Sequence, residues 1–531
     1  MGAMAKFKNK HHRDIWSYLQ EKVKTELPSV GDMGVITTKS EGRPEYVEIP
    51  EYPELFDASP KGMKRYNRDQ WFAEIRASPT IEEKYWEIAK QKYYGHYTFQ
   101  LKPDFEPYGA LEYMQGITRT HLIIEERLPE VYDGLDAEAA NLVERISDRF
   151  QDALIFQLTN HKENKSHNAV ETSRAKAQVV LQSLVEVLIA ELCSEFPHLQ
   201  SASVDILPRV GATWVAGGLG PHRSLRRLRE KVWKKSEEEI NEPYEGNASA
   251  QVRTELPLPE VVPRDDPLVL EGPVPQPLFH PRALKLKGEL LHPINTPGIW
   301  PSDPCPFGLV AFLPQDFLVR EHICSFGDHY DDQEALHQRG IIAGFAWTFS
   351  QAIFQGFDPY NDITYPLVSH VVLSDGRNFS FYVYQLNTIK FHDEYAMKNP
   401  QRNLCWATTQ QPLFDAVEGG QLHGFNKTVL FNLLKLLIRS PKERVGVNLQ
   451  PYLGAEKVAA NLSDDRYRNC IEEQYKHLSS NRPRHFDRPE IYPWEKIYKV
   501  DHNTRPVEPK IRWLRKLPSQ HFVCYVTYDV M

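Results

Sequence analysis

The sequence predicts an α+β protein with a mainly helical first half, a proline-rich connection, a compact mixed α/β core, and an irregular carboxy-terminal extension. The core carries a β-hairpin and two flanking helices. Three observations predict this. Apolar residues recur at helical intervals over residues 137–192, prolines crowd residues 257–306, and the stretch from Ile341 to Ile438 lays out helix, hairpin, strand and helix in turn. At 531 residues the chain exceeds what one core usually supports, so two domains, or one domain with long extensions, are expected.

Residues 1–45 read as a tail. Lys6, Lys8, Lys10 and Arg13 precede the first acid, Asp14, a pattern shared by the remnant of an organellar targeting segment and by a solvated basic tail. Ile15, Trp16, Leu19 and Val23 then give a short amphipathic piece before a loop with glycine and serine. Residues 46–245 form the helical region. After the turn in YPELFDASPKGM, Ser78 and Thr80 around Pro79 mark a helix start, with Ile81, Tyr85 and Ile88 on one face. Two longer helices are predicted, from about Ala137 to Leu158 and from about Asn168 to Leu192, the second striped by Val179, Val180, Leu184, Leu188 and Leu192. From Val204 the pattern turns to short β pieces, VDILPRV and ATWVAG, which end at Gly217, Gly218 and Gly220. Those glycines read as a turn entering the segment that follows.

That segment, PHRSLRRLREKVWKK, is the strongest basic cluster of the chain. Arg223, Arg226, Arg227, Arg229, Lys231, Lys234 and Lys235 face a single acid, Glu230. Helical spacing of Leu225, Leu228 and Val232 leaves much of the charge on one side, where it suits phosphate contacts. A solvated helix face balanced by Glu237, Glu238 and Glu239 is the competing reading. A second patch, Lys510, Arg512, Arg515 and Lys516 around Trp513, suits stacking on exposed bases or the covering of apolar surface by long side chains.

Residues 246–306 read as an extended connection, because thirteen prolines from Pro257 to Pro306 forbid a regular helix and disfavour a central strand. Residues 307–442 form the core. FGLVAFLP from Phe307 is a strand, and Gln333 to Phe354 is a helix apolar on nearly all sides, hence central, with Gly356 at its C′ position. Asp375 and Gly376 supply the positive φ angles of a tight hairpin within LVSHVVLSDGRNFSFYVYQLNTI. RNLCWATT adds a third strand. Asn426 caps KTVLFNLLKLLI, which Ser440 and Pro441 close. Residues 443–531 are a polar extension ending in the β-like HFVCYVTY.

A formal net charge of -8 and a pI of about 6.2 mean that the molecule as a whole is not drawn to a polyanion. Nucleic-acid contact then falls to the local basic patches. Six scattered cysteines fit free thiols in a reducing compartment, and no apolar run reaches the ~20 residues that span a bilayer. The glycines of GATWVAGGLGPHR match neither a phosphate loop nor a dinucleotide fingerprint. Cys305, His322, Cys324 and His329 lack the paired spacing of metal ligands. Ser374 with Asp375 reads as a turn, and Cys405, considered with His423 as a nucleophile pair, reads as packing beside Trp406. No catalytic residue, metal or cofactor is proposed by the residues.

The succession FAWTFSQAIFQGF (345–357), PLVSHVVLSDGRNFSFYVYQLNT (366–388), NPQRNLCWATTQQPLFD (399–415) and GFNKTVLFNLLKLLI (424–438) resembles the core of a mitochondrial ribosomal protein family. That family is known both as programmed cell death protein nine and as mitochondrial small-subunit ribosomal protein thirty. YPELFDAS and the segment from WVAG into the basic cluster resemble further family positions. The resemblance implies a non-enzymatic structural constituent of the large subunit of the mitochondrial ribosome, in the matrix. It also implies packing against other large-subunit proteins, a homologous companion among them, and limited contact with ribosomal RNA. Two other readings remain open: a cell-death-related adaptor presenting its proline-rich connection, and an RNA-modifying enzyme whose site carries no recognisable motif.

Overall fold

The structure, a computed structural model, describes residues 98–101, 107, 109–161, 167–219, 238–276, 280–284, 286, 288–289, 295–299, 303–319, 332–358, 362–391 and 398–453, with scattered positions between 59 and 77. The chain divides into two compact units, 1–63 and 64–531. In the first, the Ser59 hydroxyl accepts a hydrogen bond from the Gly62 N–H at 3.1 Å, as a helix N-cap does. The helix start at Ser78–Thr80, the strand in HFVCYVTY and the amino-terminal amphipathic piece lie outside the described residues.

The second unit contains, in order, β1 (Thr98–Phe99), α1 (Leu111–Thr118), β2 (Thr120–Glu125), α2 (Asp136–Asn160), α3 (Ala169–Leu192), β3 (Ser203–Ile206), β4 (Arg209–Leu219), β5 (Glu238–Asn247) and β6 (Ala250–Thr254). There follow β7 (Gly288–Glu289), β8 (Phe307–Pro314), α4 (Asp332–Phe354), β9 (Leu367–Ser374), β10 (Asn378–Leu386), β11 (Asn403–Thr408), the short β12 (Gln411–Pro412), β13 (Ala416–Glu418) and β14 (Gln421–His423), and α5 (Lys427–Ile438). The architecture is α+β. Local chemistry sets the boundaries. Asn168 and Glu171 close a capping box on α3, the Asn426 side chain accepts from the Thr428 N–H at the start of α5, and Gly356 turns the chain at φ +87° just beyond α4.

The central sheet has eight strands in the order β2-β11-β10-β9-β8-β6-β3, with β12 beside β10. The β9–β10–β11 run is antiparallel, whereas β8 pairs β9, and β2 pairs β11, in parallel. Both faces are covered, so side chains alternate between two cores. From β10, Phe379, Phe381 and Val383 enter the core of α2, α3 and α5, while Tyr382, Tyr384 and Leu386 enter the core of α4, α1 and β4. A second sheet, β4-β5-β1-β7, lies on the far side of α4 from the central sheet. This is why α4 has no solvent-facing polar side: every residue from Ala335 to Phe354 is buried, Gln338, Arg339 and Gln351 included.

Close approach of α4 to the sheet needs glycine. A Cβ on Gly340 would stand 2.4 Å from the Tyr382 ring, one on Gly344 2.8 Å from Tyr384 Cβ, and one on Gly308 of β8 2.5 Å from the Trp347 ring. Helix and strand backbones therefore meet with an aromatic side chain between them and no second layer of side chains.

Three expectations change. The stretch expected to be only a connection opens with β6, an interior strand between β3 and β8; β7 and short helical turns at Pro267–Glu271 and Pro281–Leu284 follow in it. β6 reaches the interior because Arg253 finds partners there that spacing does not reveal. Gly217 and Gly218 do not form a turn; they lie within β4, at a register shift between Ala216 and Leu219. In the hairpin, only Gly376 takes positive φ (+91°). Ser374 pairs with Phe379, and Asp375 Oδ1 accepts from the N–H groups of Arg377 (2.8 Å) and Asn378 (2.6 Å), so a longer turn built on the aspartate replaces the two-residue one.

Candidate functional site

The first basic cluster is carried on the β4–β5 hairpin. The two strands pair antiparallel along their length, ending at Leu219 opposite Glu238, and residues 220–237 join them in sequence. The base of the excursion is thus anchored on the small sheet. Arg223, Arg226, Arg227, Arg229, Lys231, Lys234 and Lys235 lie outside the described residues, as do Lys510, Arg512, Arg515 and Lys516.

The remaining polar chemistry is turned inward. Arg253, buried in β6, donates to Asp205 of β3, to Asp303 Oδ1 at 2.8 Å and to the Cys305 carbonyl, so a cation in the sheet has its charge and most of its donors matched. Asp362 accepts from the Thr388 hydroxyl (2.6 Å) and the Ile389 N–H (2.8 Å), which ties the chain after β10 to the segment that leads into β9; burial nonetheless pushes its carboxyl above the usual range. Ser374 Oγ accepts from the Gly376 N–H at 2.9 Å, the turn role its position suggested. Cys405 is wholly buried, which pushes its thiol up, whereas His423 is exposed on β14. These two do not form a nucleophile and base. Cys305 Sγ lies 3.4 Å from the Ser201 carbonyl; His322, Cys324 and His329 lie outside the described residues, among which no three His, Cys, Asp or Glu side chains gather as a metal site.

Two buried features escaped the sequence. Tyr132 Oη and His370 Nε2 are 2.6 Å apart beneath α5, with the Arg439 guanidinium 5.3 Å from the Tyr132 ring centre. Burial drives the His370 pKa down to about 3; Arg439 adds to the depression and the Leu309 carbonyl opposes it. An imidazole this inaccessible is a neutral packing element, not a proton carrier for a substrate. It has a thermodynamic consequence. The unfolded chain protonates this histidine near 6.5 and the folded one only near 3, so between those values the unfolded state binds more protons and acid destabilises the fold. His370 alone is expected to remove about 2 kcal/mol between pH 7 and pH 5. Denaturant midpoints of the full chain at the two pH values test this. A His370→Gln variant should flatten the pH dependence, and an equal slope in variant and parent would contradict it.

The second feature is a cleft of about 30 Å³ bordered by Arg174, Tyr244, Asp316 and Arg339. It has room for about one water molecule. Arg174 Nε donates to Asp316 at 2.6 Å, and Arg339 stacks 4.8 Å over the Phe317 ring. Burial raises the Asp316 pKa against the pull of Arg174. The Arg174–Asp316 ion pair holds α3 to the segment just after β8. No helix among the described residues is long and apolar enough to cross a membrane.

The model of the family described as Mitochondrial 28S ribosomal protein S30 (PDCD9) matches residues 21–441. The match takes in the first basic cluster and every strand of the central sheet, and ends before the second basic patch.

Proposed function

We propose, from the premise that the chain belongs to the mitochondrial 28S ribosomal protein S30 family of mitochondrial ribosomal proteins, that it is a structural, non-enzymatic constituent of the large ribosomal subunit in the mitochondrial matrix. The observation that carries the ribosomal reading is the family match across residues 21–441.

The subunit is the finer question. The family's descriptive name carries the 28S, small-subunit label, and the large-subunit reading rests on the resemblance of the core segments from Phe345 to Ile438. The net charge of -8 supports a peripheral place dominated by protein neighbours, a homologous companion among them. The β4–β5 excursion touches ribosomal RNA through Arg223 to Lys235. Sucrose-gradient fractionation of mitochondrial lysate in low magnesium, which parts the subunits, tests the reading. Migration with the large subunit is expected. Migration with the small subunit overturns the subunit assignment alone, and recovery at the top of the gradient favours the adaptor reading.

A further inference from the structure

The two edges of the central sheet are finished differently. β3 is four residues long, ties Asp205 to Arg253, and ends at Leu207, whose φ of +52° turns its N–H onto the Ser249 carbonyl. β2 has no such finish. Its six residues pair in parallel with Asn403–Thr408, and the Asn403 N–H donates to the Arg119 carbonyl at 2.9 Å. That bond sets the alternation: the backbone of residues 119, 121, 123 and 125 faces β11, and the backbone of Thr120, Leu122 and Ile124 faces outward. Among the described residues, nothing on that outward side pairs with the backbone of Leu122 or Ile124. The strand centre, His121–Leu122–Ile123–Ile124, holds neither proline nor lysine nor a bulge, the usual guards of a free edge. Ile124 is 54% exposed.

Charge narrows the occupant. Glu125, Glu126 and Glu130 stand exposed where the strand runs out, against Arg127 alone. We propose that β2 is a strand-addition site, whose outer edge takes an extended, lysine- and arginine-rich segment of a neighbouring protein as a further strand of the eight-stranded sheet. The main-chain ladder supplies affinity, Ile124 supplies apolar contact, and the glutamates select a basic segment. The proposal rests on the ribosomal reading, in which such a segment belongs to an adjoining ribosomal protein.

Hydrogen exchange on the full chain, free and in purified ribosomal particles, tests it. Amides of the peptide spanning residues 120–126 are expected to exchange at least about tenfold more slowly in the particle, and carbodiimide is expected to join Glu125 or Glu126 to a lysine of another protein. Ile124→Pro, which removes an outward donor at a position an edge tolerates, should abolish both effects. Unchanged exchange in particles that contain the chain overturns strand addition and leaves the ribosomal reading standing; absence of the chain from particles overturns that reading. Protection that vanishes with ribonuclease, or a carbodiimide link within this same chain, also overturns the proposal.

Discussion

Gly340→Val is expected to cost about 3 kcal/mol of stability or more, at the upper end of what overpacking a core costs. A Cβ at this position meets Tyr382 ring carbons at 2.4 Å, well inside van der Waals contact. Tyr382 cannot yield easily. It is wholly buried between α4 and the sheet, and its hydroxyl is 3.3 Å from His337 Nδ1. The helix must lift, and in lifting it loosens Gly344 from Tyr384 and Trp347 from Gly308, so the central sheet loses contact with the helix at two of its strands. Gly134→Ala, where a Cβ meets nothing within 4 Å, is the matched control and should change stability by less than ~1 kcal/mol. Thermal and denaturant unfolding of the two variants settle the matter. Equal midpoints would mean that α4 does not sit on β10 as described.

The second large effect is on association. Reversing four charges, with Arg226→Glu, Arg227→Glu, Lys234→Glu and Lys235→Glu, is expected to weaken binding to the ribosomal particle by at least ~100-fold near 150 mM potassium, because each lost phosphate contact also forfeits the release of counterions. The salt dependence is the sharper readout. Seven engaged cations predict a slope of log affinity against log salt of about -5, and three remaining ones about -2, at ~0.7 per contact. Sedimentation with the particle across a salt series measures both. A variant that follows the parent's curve would show that the excursion from Leu219 to Glu238 is a solvated surface. The fold should survive the change, since β4 and β5 pair along their length without these residues.

Much of the core was legible because its signals are local. The continuous apolarity of α4 announced a helix covered on all sides, and Asn168 and Asn426 marked helix starts that the structure caps as expected. What escaped depends on partners distant in sequence. The prolines from Pro257 onward made residues 246–306 read as a connection and hid β6; the aspartates that match its Arg253 come from β3 and from residue 303, about 50 positions away on either side. His370 lies in a strand run with nothing nearby in sequence to reveal its partner Tyr132, 238 residues upstream. The spacing of Gly340 and Gly344 was a usable signal of close helix packing. For the candidate site, the basic cluster was plain from composition. Its place on a hairpin was not, because glycines within a strand read as a turn.

The central claim is that this chain exists as a component of the mitochondrial ribosome. Absolute quantification of the chain across the same sucrose gradient, run with magnesium so that particles stay intact, tests it most directly. The account predicts about one copy per ribosomal particle and almost none in the ribosome-free fractions. A ribosome-free pool comparable to the particle-bound one, persisting in healthy mitochondria, would contradict it.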